Sequence, residues 1–486
     1  MYLGIDLGTS GVKSLVIDDD HQVVALAQAN LEVQRPADGW SEQRPDDWIE
    51  ATSKTFAELQ VKFPDIVRSV RGIGLSGQQH GATLIDAADK PLRPCILWND
   101  GRSAEQAARL NQPDLQQLAG SIIFAGFTAP KLLWVTEHEP DIREQVAKVL
   151  LPKDYLRLWL TGEHVSEMSD ASGTGWMDIA KRQWSPALLK AGGMLEDQMP
   201  SLVEGSEVSG QLRSELVKQF GFADSVVVAG GAGDNAASAC GMGTISEGSA
   251  FVSLGTSGVV FASNSSYRPK PESAVHTFCH AVPSTWHQMG VILSATDALN
   301  WFSTITGQSA ADLTTELEQS SETPLRPPGG VTFLPYLSGE RTPHNDAAIR
   351  GGFSGIGHAT DRSAMTQAVL EGVTFAVRDN IAALEQAGTS LDRMMAVGGG
   401  TRSSYWLNLI ATATGIPVDV AVDGDFGAGF GAARLGMLAA TGADPVSVCT
   451  KPAVEKSFMP DPQLKGAFDD AYERYRKAYL AMCELR

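Results

Sequence analysis

Cysteine is scarce in this sequence. Only five cysteines occur among the 486 residues, and no two of them form a CxxC pair. A disulfide framework or a zinc knuckle needs paired cysteines, so neither organises this chain. The N-terminus has no basic segment followed by an apolar run, and we therefore expect no secretory signal. Together these features predict a cytoplasmic protein.

Basic residues are also fewer than acidic ones. The 38 lysines and arginines are outnumbered by 57 aspartates and glutamates, which gives a formal net charge of −19. A negative surface repels nucleic-acid backbones and anionic lipids, so we expect neither as a partner. Any phosphate group must then be held locally, by backbone N–H groups or by a metal ion.

Long apolar runs are missing as well. The longest conspicuous uncharged stretch, residues 248–267, contains many polar residues and predicts two strands around a turn rather than a membrane span. The hydrophobic fraction of 43% and the charged fraction of 20% are close to those of globular proteins. A length of 486 residues exceeds one ordinary core and suggests two to four domains.

One hexapeptide occurs twice in the chain. Leu-Gly-Thr-Ser-Gly-Val fills residues 7–12 and again residues 254–259, an offset of 254 − 7 = 247 residues. Each copy lies between two β-rich segments, so it predicts a hairpin turn with converging N–H groups and hydroxyls. A chance recurrence is the alternative, but duplication explains an offset of half the chain better. We therefore predict two related domains, residues 1–245 and 246–486, with a cleft between them.

Strands and helices alternate in both halves. In the first half we predict strands at 2–6, 12–17, 22–30, 71–75, 95–98 and 225–230 and a helix at 45–63. In the second half we predict strands at 250–253, 259–262, 331–336, 393–397 and 417–422 and helices at 291–304, 363–387, 405–415, 427–440 and 464–482. This order is typical of an α/β fold made twice.

Two common nucleotide-binding loops are excluded. No Gly-Lys dipeptide occurs, so there is no P-loop of the GxxxxGK[ST] type. Residues 231–236 match the loose dinucleotide pattern GxGxxA, but Asp234 would lie where a pyrophosphate approaches, and no acidic residue ends the next strand. Residues 427–432 match the same pattern and predict the closely packed start of a helix. A Rossmann site is therefore rejected.

The remaining prediction is a nucleotide held between the two halves. The two hexapeptide turns would face each other and hold the β and γ phosphates, and a glycine-rich turn at 398–400 would accept adenine. The candidate ATP-binding residues are Thr9, Ser10, Lys13, Gly255, Thr256, Ser257, Gly398, Gly399, Gly400 and Ser403. An exposed strand position is the alternative for Lys13, and a simple left-handed turn is the alternative for Gly398–Gly400.

Two aspartates are the candidate catalytic residues. Asp6 ends the first strand just before the first turn, and a carboxylate beside a phosphate site requires a cation between them, for which Mg²⁺ held through water is suited. Asp234 follows four small residues at a predicted helix N-terminus, where an ordinary N-cap is the alternative. We predict that Asp234 is a general base, with its pKa lowered by the helix dipole.

The chain resembles the FGGY carbohydrate kinases along its whole length. Residues 126–134 (GFTAPKLLW) and 351–371 resemble the two family signatures, with Ala364 where a polar residue is usual. Residues 76–81 (SGQQHG) resemble the sugar-binding loop of the members that phosphorylate xylulose, with Gln79 where methionine is usual. Residues 333–344 (FLPYLSGERTPH) are similar to the same members.

The resemblance implies an actin-like ATPase architecture, in which two RNase-H-like domains hold nucleotide and sugar in a cleft that closes on binding. It implies ATP-dependent phosphorylation of D-xylulose to D-xylulose 5-phosphate, with Asp234 as the base and Asp6 holding Mg²⁺ through water. The expected partners are ATP and a ketopentose, and a homodimer is a further hypothesis. The alternatives are a kinase of the same family for ribulose, gluconate or a sugar alcohol, and an actin-like nucleotide sensor without sugar chemistry.

The resemblance also implies which residues bind the sugar. Gln79 and His80 would contact it directly. Asp100 and Arg102, in the segment Trp98–Arg102, would either bind the sugar or brace the loop.

Overall fold

The computed structural model describes residues 1–320, 323–422 and 427–485. Within these ranges no helix is both long and apolar enough to cross a bilayer. The strands of the first half are β1 Tyr2–Leu7, β2 Gly11–Ile17, β3 Val23–Asn30, β4 Glu42–Gln43, β5 Gly72–Gly77, β6 Thr83–Ile85, β7 Cys95–Ile96, β8 Lys148–Leu150, β9 Val165–Glu167, β10 Met177–Asp178, β11 Gln183–Trp184, β12 Ser201–Val203, β13 Val208–Gln211, β14 Val227–Ala229 and β15 Ala232–Gly233. Its helices are α1 Pro45–Lys62, α2 Pro64–Arg68, α3 Ala104–Leu110, α4 Pro113–Ala119, α5 Thr128–His138, α6 Pro140–Arg143, α7 Pro152–Thr161, α8 Met168–Ala171, α9 Pro186–Ala191, α10 Ser214–Phe220 and α11 Asp234–Gly241.

The second half is organised in the same way. Its strands are β16 Ala250–Leu254, β17 Gly258–Asn264, β18 His276–Cys279, β19 Trp286–Ile292, β20 Thr332–Leu334, β21 Gly352–Ser354, β22 Met394–Val397, β23 Val418–Ala421 and β24 Val454–Phe458. Its helices are α12 Thr296–Thr306, α13 Ala310–Gln319, α14 Arg362–Gln386, α15 Ser404–Thr414, α16 Ala428–Thr441, α17 Pro445–Val448 and α18 Lys465–Glu484. Short 3-10 helices occur at Ser172–Thr174, Glu196–Gln198, Pro271–Ser273 and Gly399–Arg402.

Two large sheets share one topology. The first has the strand order β3-β2-β1-β5-β14-β13, with β15 also paired to β5, and the second contains the order β19-β17-β16-β22-β23-β24 with β18 added beside β19. In each sheet two parallel pairs in the middle are flanked by antiparallel strands. Both hexapeptides form hairpin turns, between β1 and β2 and between β16 and β17. The predicted α/β fold made twice is confirmed.

Local sequence accounts for the helices that were predicted well. Helix α1 begins at Pro45, where a missing N–H costs nothing, and has acidic residues in its first turn and Lys62 in its last, as the helix dipole favours. Its buried stripe includes Trp48, Phe56 and Leu59. This helix therefore binds the first sheet along one face.

The predicted helix at 291–304 is wrong in its first part. Val291 and Ile292 end strand β19 and pair with Val259 and Gly258 of β17, and the helix begins only at Thr296. The β-branched pair favours a strand, and the neighbouring strand β17 supplies hydrogen bonds that a helix there would leave unmade. The predicted strand at 331–336 is shortened to β20, which pairs with β21 outside both large sheets.

Helix α16 belongs to the second half of the sequence but packs on the first sheet. A Cβ atom on Gly4 of β1 would overlap the carbonyl oxygen of Gly429, and one on Gly74 of β5 would overlap that of Ala432. The glycines therefore let the helix backbone lie directly on the strands. This confirms the predicted closely packed helix start at 427–432. Helix α16 therefore ties the second half of the sequence to the first sheet.

Candidate functional site

The carboxyl ends of three parallel strands form one edge of the first sheet. In register, Asp6 of β1 lies beside Ser76 of β5, which lies beside Ala232 of β15. Gly233 is one position further along, and Asp234 follows it as the first residue of α11. The strand pairing thus brings Asp6 and Asp234 to the same edge, as ligand sites in open α/β sheets require.

The predicted direction of the Asp234 pKa is wrong. Burial, together with the negative charge of Asp6, raises the pKa of Asp234 to about 6, although the N–H and side-chain amide of Asn235 both donate to it. An eight-residue helix has too small a dipole to outweigh desolvation and a neighbouring carboxylate. The N-cap position itself is occupied by Gly233, so Asp234 is not the cap.

Lys13 lies opposite Asp6 across the first hairpin. Burial raises the pKa of Asp6, while the Ser76 hydroxyl and the Lys13 ammonium oppose this shift. Lys13 itself is half-buried, and burial lowers its pKa. The structure therefore does not place Lys13 on an exposed strand position, which was the alternative to an ATP contact.

This pair of carboxylates fits a magnesium ion. Mg²⁺ in kinase-type sites takes one or two protein carboxylates and completes its shell with water and phosphate oxygens. The described part of the chain contains no group of three or more His, Cys, Asp or Glu that could form a complete protein cage for a metal ion. Asp6 and Asp234, whose charges repel each other, are the carboxylates at this edge that a cation would stabilise.

The first turn is tied to the segments that follow β5 and β7. The Thr9 hydroxyl donates to Gln78 Oε1 and accepts from Trp98 Nε1, both at 3.0 Å. Gln78 in turn donates to Gln43 Oε1 at 2.8 Å. Ser10, beside Thr9, is exposed. Gln78 and Trp98 were not assigned a role from sequence, although both stand in the segments that carried the family resemblance.

His80 is held in one orientation and one tautomer. Its Nδ1 lies 2.7 Å from the carbonyl oxygen of Gly173, which can only accept, so Nδ1 carries the proton and Nε2 is an acceptor. The ring stacks on Phe127 at 4.6 Å, and burial lowers the pKa of His80 to about 3. Lys131 Nζ and the Thr128 hydroxyl both donate to the His80 carbonyl. His80 is therefore a neutral hydrogen-bond acceptor at neutral pH.

Gln79 lies between His80 and Asp234. A Cβ atom on Gly233 would overlap the Gln79 side-chain amide, so this amide packs against the residue that precedes Asp234. Gln79 is 8% exposed. The predicted sugar loop and the predicted base are therefore adjacent.

Asp100 and Arg102 bind each other, so their polar groups are already occupied. Asp100 Oδ1 accepts from the Arg102 N–H and Nε, and Oδ2 accepts from the Arg102 guanidinium and from the Ser41 N–H. Arg102 also forms a 2.7 Å ion pair with Glu42 and stacks on Trp40 at 3.6 Å. Because these contacts occupy both carboxylate oxygens, they favour the bracing alternative over sugar binding.

The second half provides a cavity of about 360 Å³. It is lined by Thr296, Leu299, Asn300, Ala310, Ala311, Thr314, Thr315, Glu318, Gly399, Gly400, Arg402, Ser403 and Trp406. Gly399, Gly400 and Ser403 were predicted ATP contacts, whereas Gly255, Thr256, Ser257 and Gly398 do not line it. Gly398 has a φ of 94°, and a Cβ there would approach Leu254 O at 2.7 Å, which requires glycine.

The second turn is anchored to helix α12. Gly255 O accepts from the Thr296 N–H and hydroxyl at 2.9 and 2.7 Å, and Thr256 O accepts from the Ala295 N–H at 2.9 Å. Thr256 and Ser257 remain exposed. The turn therefore borders the cavity through Thr296, which lines it.

A fully buried ion cluster lies behind Asp234. Lys153 Nζ lies within 3.2 Å of carboxylate oxygens of Asp154, Glu167 and Asp170, and all four side chains are inaccessible to solvent. Arg157 is the second cation of the cluster and pairs with Asp154 at 2.6 Å. Sequence reasoning missed this cluster, because charged residues spread over α7, β9 and α8 give no periodic signal.

The cluster is bonded to the loop that carries Asp234. The Ser169 hydroxyl donates to Glu167 and accepts from the Gly233 N–H at 3.1 Å. Arg157 donates to the Gly230 carbonyl. The loop preceding Asp234 is therefore fixed at both ends by buried hydrogen bonds, and the bond from Arg157 is charge-assisted.

Comparison with known proteins gives matches over the whole chain. A model of the N-terminal domain of the FGGY family of carbohydrate kinases matches residues 1–241, and one of the C-terminal domain matches residues 250–440. A xyloylose kinase of known structure from Brucella ovis is 59% identical, with 100% of both chains covered and a TM-score of 0.98. The xylulose kinase of Escherichia coli (strain K12) is 45% identical over 488 residues, 100% of each chain. That of Klebsiella pneumoniae is 45% identical over 464 residues, 95% of each chain.

Proposed function

Because the chain belongs to the FGGY family of carbohydrate kinases, we propose that it transfers the γ-phosphoryl group of ATP to D-xylulose and forms D-xylulose 5-phosphate. The membership confirms the resemblance predicted from the motifs, and the matching sheets confirm the predicted actin-like fold. The observation that carries the proposal is the placement of Asp234 beside Asp6 and the His80 loop at one sheet edge.

Asp234 acts as the general base in this proposal. It accepts the proton of the sugar's primary hydroxyl as that oxygen attacks the γ-phosphorus. With a pKa of about 6, the carboxylate is ionised at neutral pH and is still more basic than an ordinary aspartate. The buried cluster behind it holds the loop in place, so little reorganisation is needed in the transition state.

The remaining residues orient the two substrates. His80 Nε2 accepts a hydrogen bond from a sugar hydroxyl, and the Gln79 amide can both donate and accept hydrogen bonds. ATP is bound with its base in the cavity beside Gly399 and Gly400. Asp6 would hold Mg²⁺ through water, and this ion would supply positive charge to the phosphate oxygens.

Substrate choice is tested with a panel of sugars. ADP release is measured with D-xylulose, D-ribulose, L-xylulose, gluconate and xylitol at equal concentration. We expect D-xylulose to have the highest kcat/KM. A higher value for another compound would replace D-xylulose by that compound, and an absence of sugar-stimulated ADP release would favour a nucleotide sensor.

The role of Asp234 is tested by Asp234→Asn. We expect kcat to fall by roughly two to four powers of ten, the usual range for a general base, with little change in either KM. Asp38→Asn, at an exposed aspartate, is the matched control. Wild-type turnover in Asp234→Asn would remove the base assignment but leave the substrate assignment intact.

We further propose a cytoplasmic enzyme that binds no nucleic acid and forms a homodimer. The charge of −19 supports the absence of nucleic-acid binding. Sedimentation velocity with and without duplex DNA tests both the dimer and the absence of binding.

A further inference from the structure

Arg341 belongs to the second half of the chain but lies against a side chain of the first. Its guanidinium carbon is 4.5 Å from the ring centroid of Phe124. Among the residues that the structure describes, the guanidinium makes no hydrogen bond and no ion pair, and the side chain is partly exposed. A guanidinium offers five donors and no acceptor, so Arg341 presents unused donors at this position.

The position adjoins the predicted sugar loop. Phe124 is 5.9 Å from Phe127, whose ring stacks on His80 at 4.6 Å, and Phe124 is also 5.4 Å from His276. Arg341 therefore stands at the end of an aromatic wall that begins at His80. Its positive charge contributes to the lowered pKa of both histidines, after the larger effect of burial, which is consistent with this proximity.

The neighbouring acid does not neutralise Arg341. Glu340 Oε1 accepts from the backbone N–H groups of Leu293 and Arg341, at 3.0 and 2.7 Å, so the carboxyl is directed at backbone. Burial raises the pKa of Glu340 to about 8, which keeps it largely protonated at neutral pH. The bond from the Arg341 N–H also fixes the backbone of Arg341, which limits where its side-chain donors can lie before a ligand binds.

We propose that Arg341 donates hydrogen bonds to the ketone oxygen of the sugar and makes the enzyme prefer a ketose to the matching sugar alcohol. The inference rests on the proposed function. His80 Nε2 can only accept, so it pairs with a hydroxyl proton, whereas a carbonyl oxygen can only accept and needs a donor such as Arg341. A sugar alcohol has a hydroxyl in place of the ketone. The hydroxyl oxygen can also accept from the guanidinium, but its proton then needs a separate acceptor, which Arg341 cannot supply.

The test compares Arg341→Met and Arg341→Lys with wild type. The KM of D-xylulose is measured, together with the inhibition constant of xylitol as a competitor. We expect Arg341→Met to raise the KM of D-xylulose about 10- to 100-fold, the range for a lost hydrogen bond from a charged donor. In the same variant, the inhibition constant of xylitol should rise less than about threefold. Arg341→Lys, which keeps the charge but not the fork, should fall between Arg341→Met and wild type.

Arg350→Met is the matched control, since Arg350 is an exposed arginine of the same loop that bonds only the Ala347 and Ile349 carbonyls. Equal shifts for xylulose and xylitol would overturn the proposal, and so would a fall in kcat with both constants unchanged. If Arg341→Met does not fold, Arg341→Lys serves alone. An unchanged ratio of the D-xylulose KM to the xylitol inhibition constant in that variant would equally overturn the proposal. If the wild-type enzyme were inactive on D-xylulose, the proposed function would be wrong. If the wild type were active and the Arg341 variants kept the ratio of the two constants, only this inference would be wrong.

Discussion

The two hexapeptides have identical sequences but form turns of different structure. In the first copy Leu7 pairs with Val12 and residues 8–11 form the turn, whereas in the second Leu254 pairs with Gly258 and residues 255–257 form it. The register differs by one residue. Since the sequence of the turn is identical, the difference comes from tertiary contacts, namely the side-chain bonds of Thr9 in the first copy and the helix α12 backbone in the second.

The residues that flank the two copies differ in charge. Asp6 and Lys13 stand next to the first copy, and Ser253 and Val260 occupy the corresponding positions of the second. The first half therefore supplies the charged groups and the second half supplies the cavity of about 360 Å³. In the proposed function, the first half thus carries the chemistry and the second half binds the nucleotide base.

The largest expected effect concerns the buried charges of the first half. Lys153→Met leaves Asp154, Glu167 and Asp170 with Arg157 as the remaining cation, and we expect the free energy of unfolding to fall by about 3–5 kcal/mol. Burial alone would lower the pKa of Lys153, but the three carboxylates raise it, so the lysine is charged in the folded state. Urea unfolding monitored by circular dichroism measures the loss.

Lys181→Met is the control for this prediction. Lys181 pairs with Asp178, but its side chain is 68% exposed, and we expect a change within about 0.5 kcal/mol. Equal stability of the two variants would mean that the cluster behind Asp234 adds nothing to the first half.

The second prediction replaces Asp6, which flanks the first turn, with serine, the residue at the corresponding position beside the second turn. We expect Asp6→Ser to lower kcat about 100-fold, the scale for loss of one electrostatic group in a reaction centre, and to raise the Mg²⁺ concentration needed for half-maximal rate. Ser253→Ala, at the corresponding position beside the second turn, should alter kcat less than about threefold. A Mg²⁺ titration at saturating ATP and sugar measures both variants. If Asp6→Ser keeps a tenth of the activity, Asp6 is not the residue that holds Mg²⁺.

The sequence was sufficient for features that depend on local pattern and on strand ends. The repeat predicted both hairpins, and the local pattern predicted the strand that ends at Asp6 and the helix N-terminus at Asp234. Their common sheet edge follows from the strand pairing. Parallel strands in register place their carboxyl ends together whatever the rest of the chain does. The role of Asp234 as base was predicted on the same grounds and is still a proposal.

Features that depend on distant contacts were not predictable. The register of the second turn is set by α12, and the pKa of Asp234 is set by burial and by a carboxylate 228 residues earlier (234 − 6). The docking of α16 on the first sheet depends on glycines in two strands and one helix, none of which signals its partner. The bracing of Asp100 by Arg102 was one of two alternatives until the contacts were known.

The third prediction concerns the stability cost of the paired carboxylates. The pKa of Asp234 is raised on folding, so above about pH 6 the folded state contains a carboxylate that burial and Asp6 disfavour. Below the ordinary aspartate pKa both states are protonated and the effect vanishes. We therefore expect Asp234→Asn to stabilise the protein by about 1–2 kcal/mol at pH 8, allowing for partial exposure, and by almost nothing at about pH 3, below the ordinary aspartate pKa. Urea unfolding at the two pH values measures it, and destabilisation at pH 8 would contradict the raised pKa.

The smallest expected effect distinguishes the two turns themselves. Thr9→Val removes a hydroxyl that bonds both Gln78 and Trp98, next to the sugar loop, and we expect the KM of the sugar to rise about three- to tenfold, as for one or two neutral hydrogen bonds. Thr256→Val changes an exposed side chain whose backbone carries the contacts to α12, and it should affect only the KM of ATP, by less than about threefold.

Trp98 provides an independent readout of the same comparison, because its indole is 46% exposed and donates to the Thr9 hydroxyl. Thr9→Val should change the tryptophan emission without substrate, and Thr256→Val should leave it unchanged. If both variants altered the KM of ATP alone, the two turns would be equivalent phosphate contacts. The difference in register would then have no consequence for substrate binding.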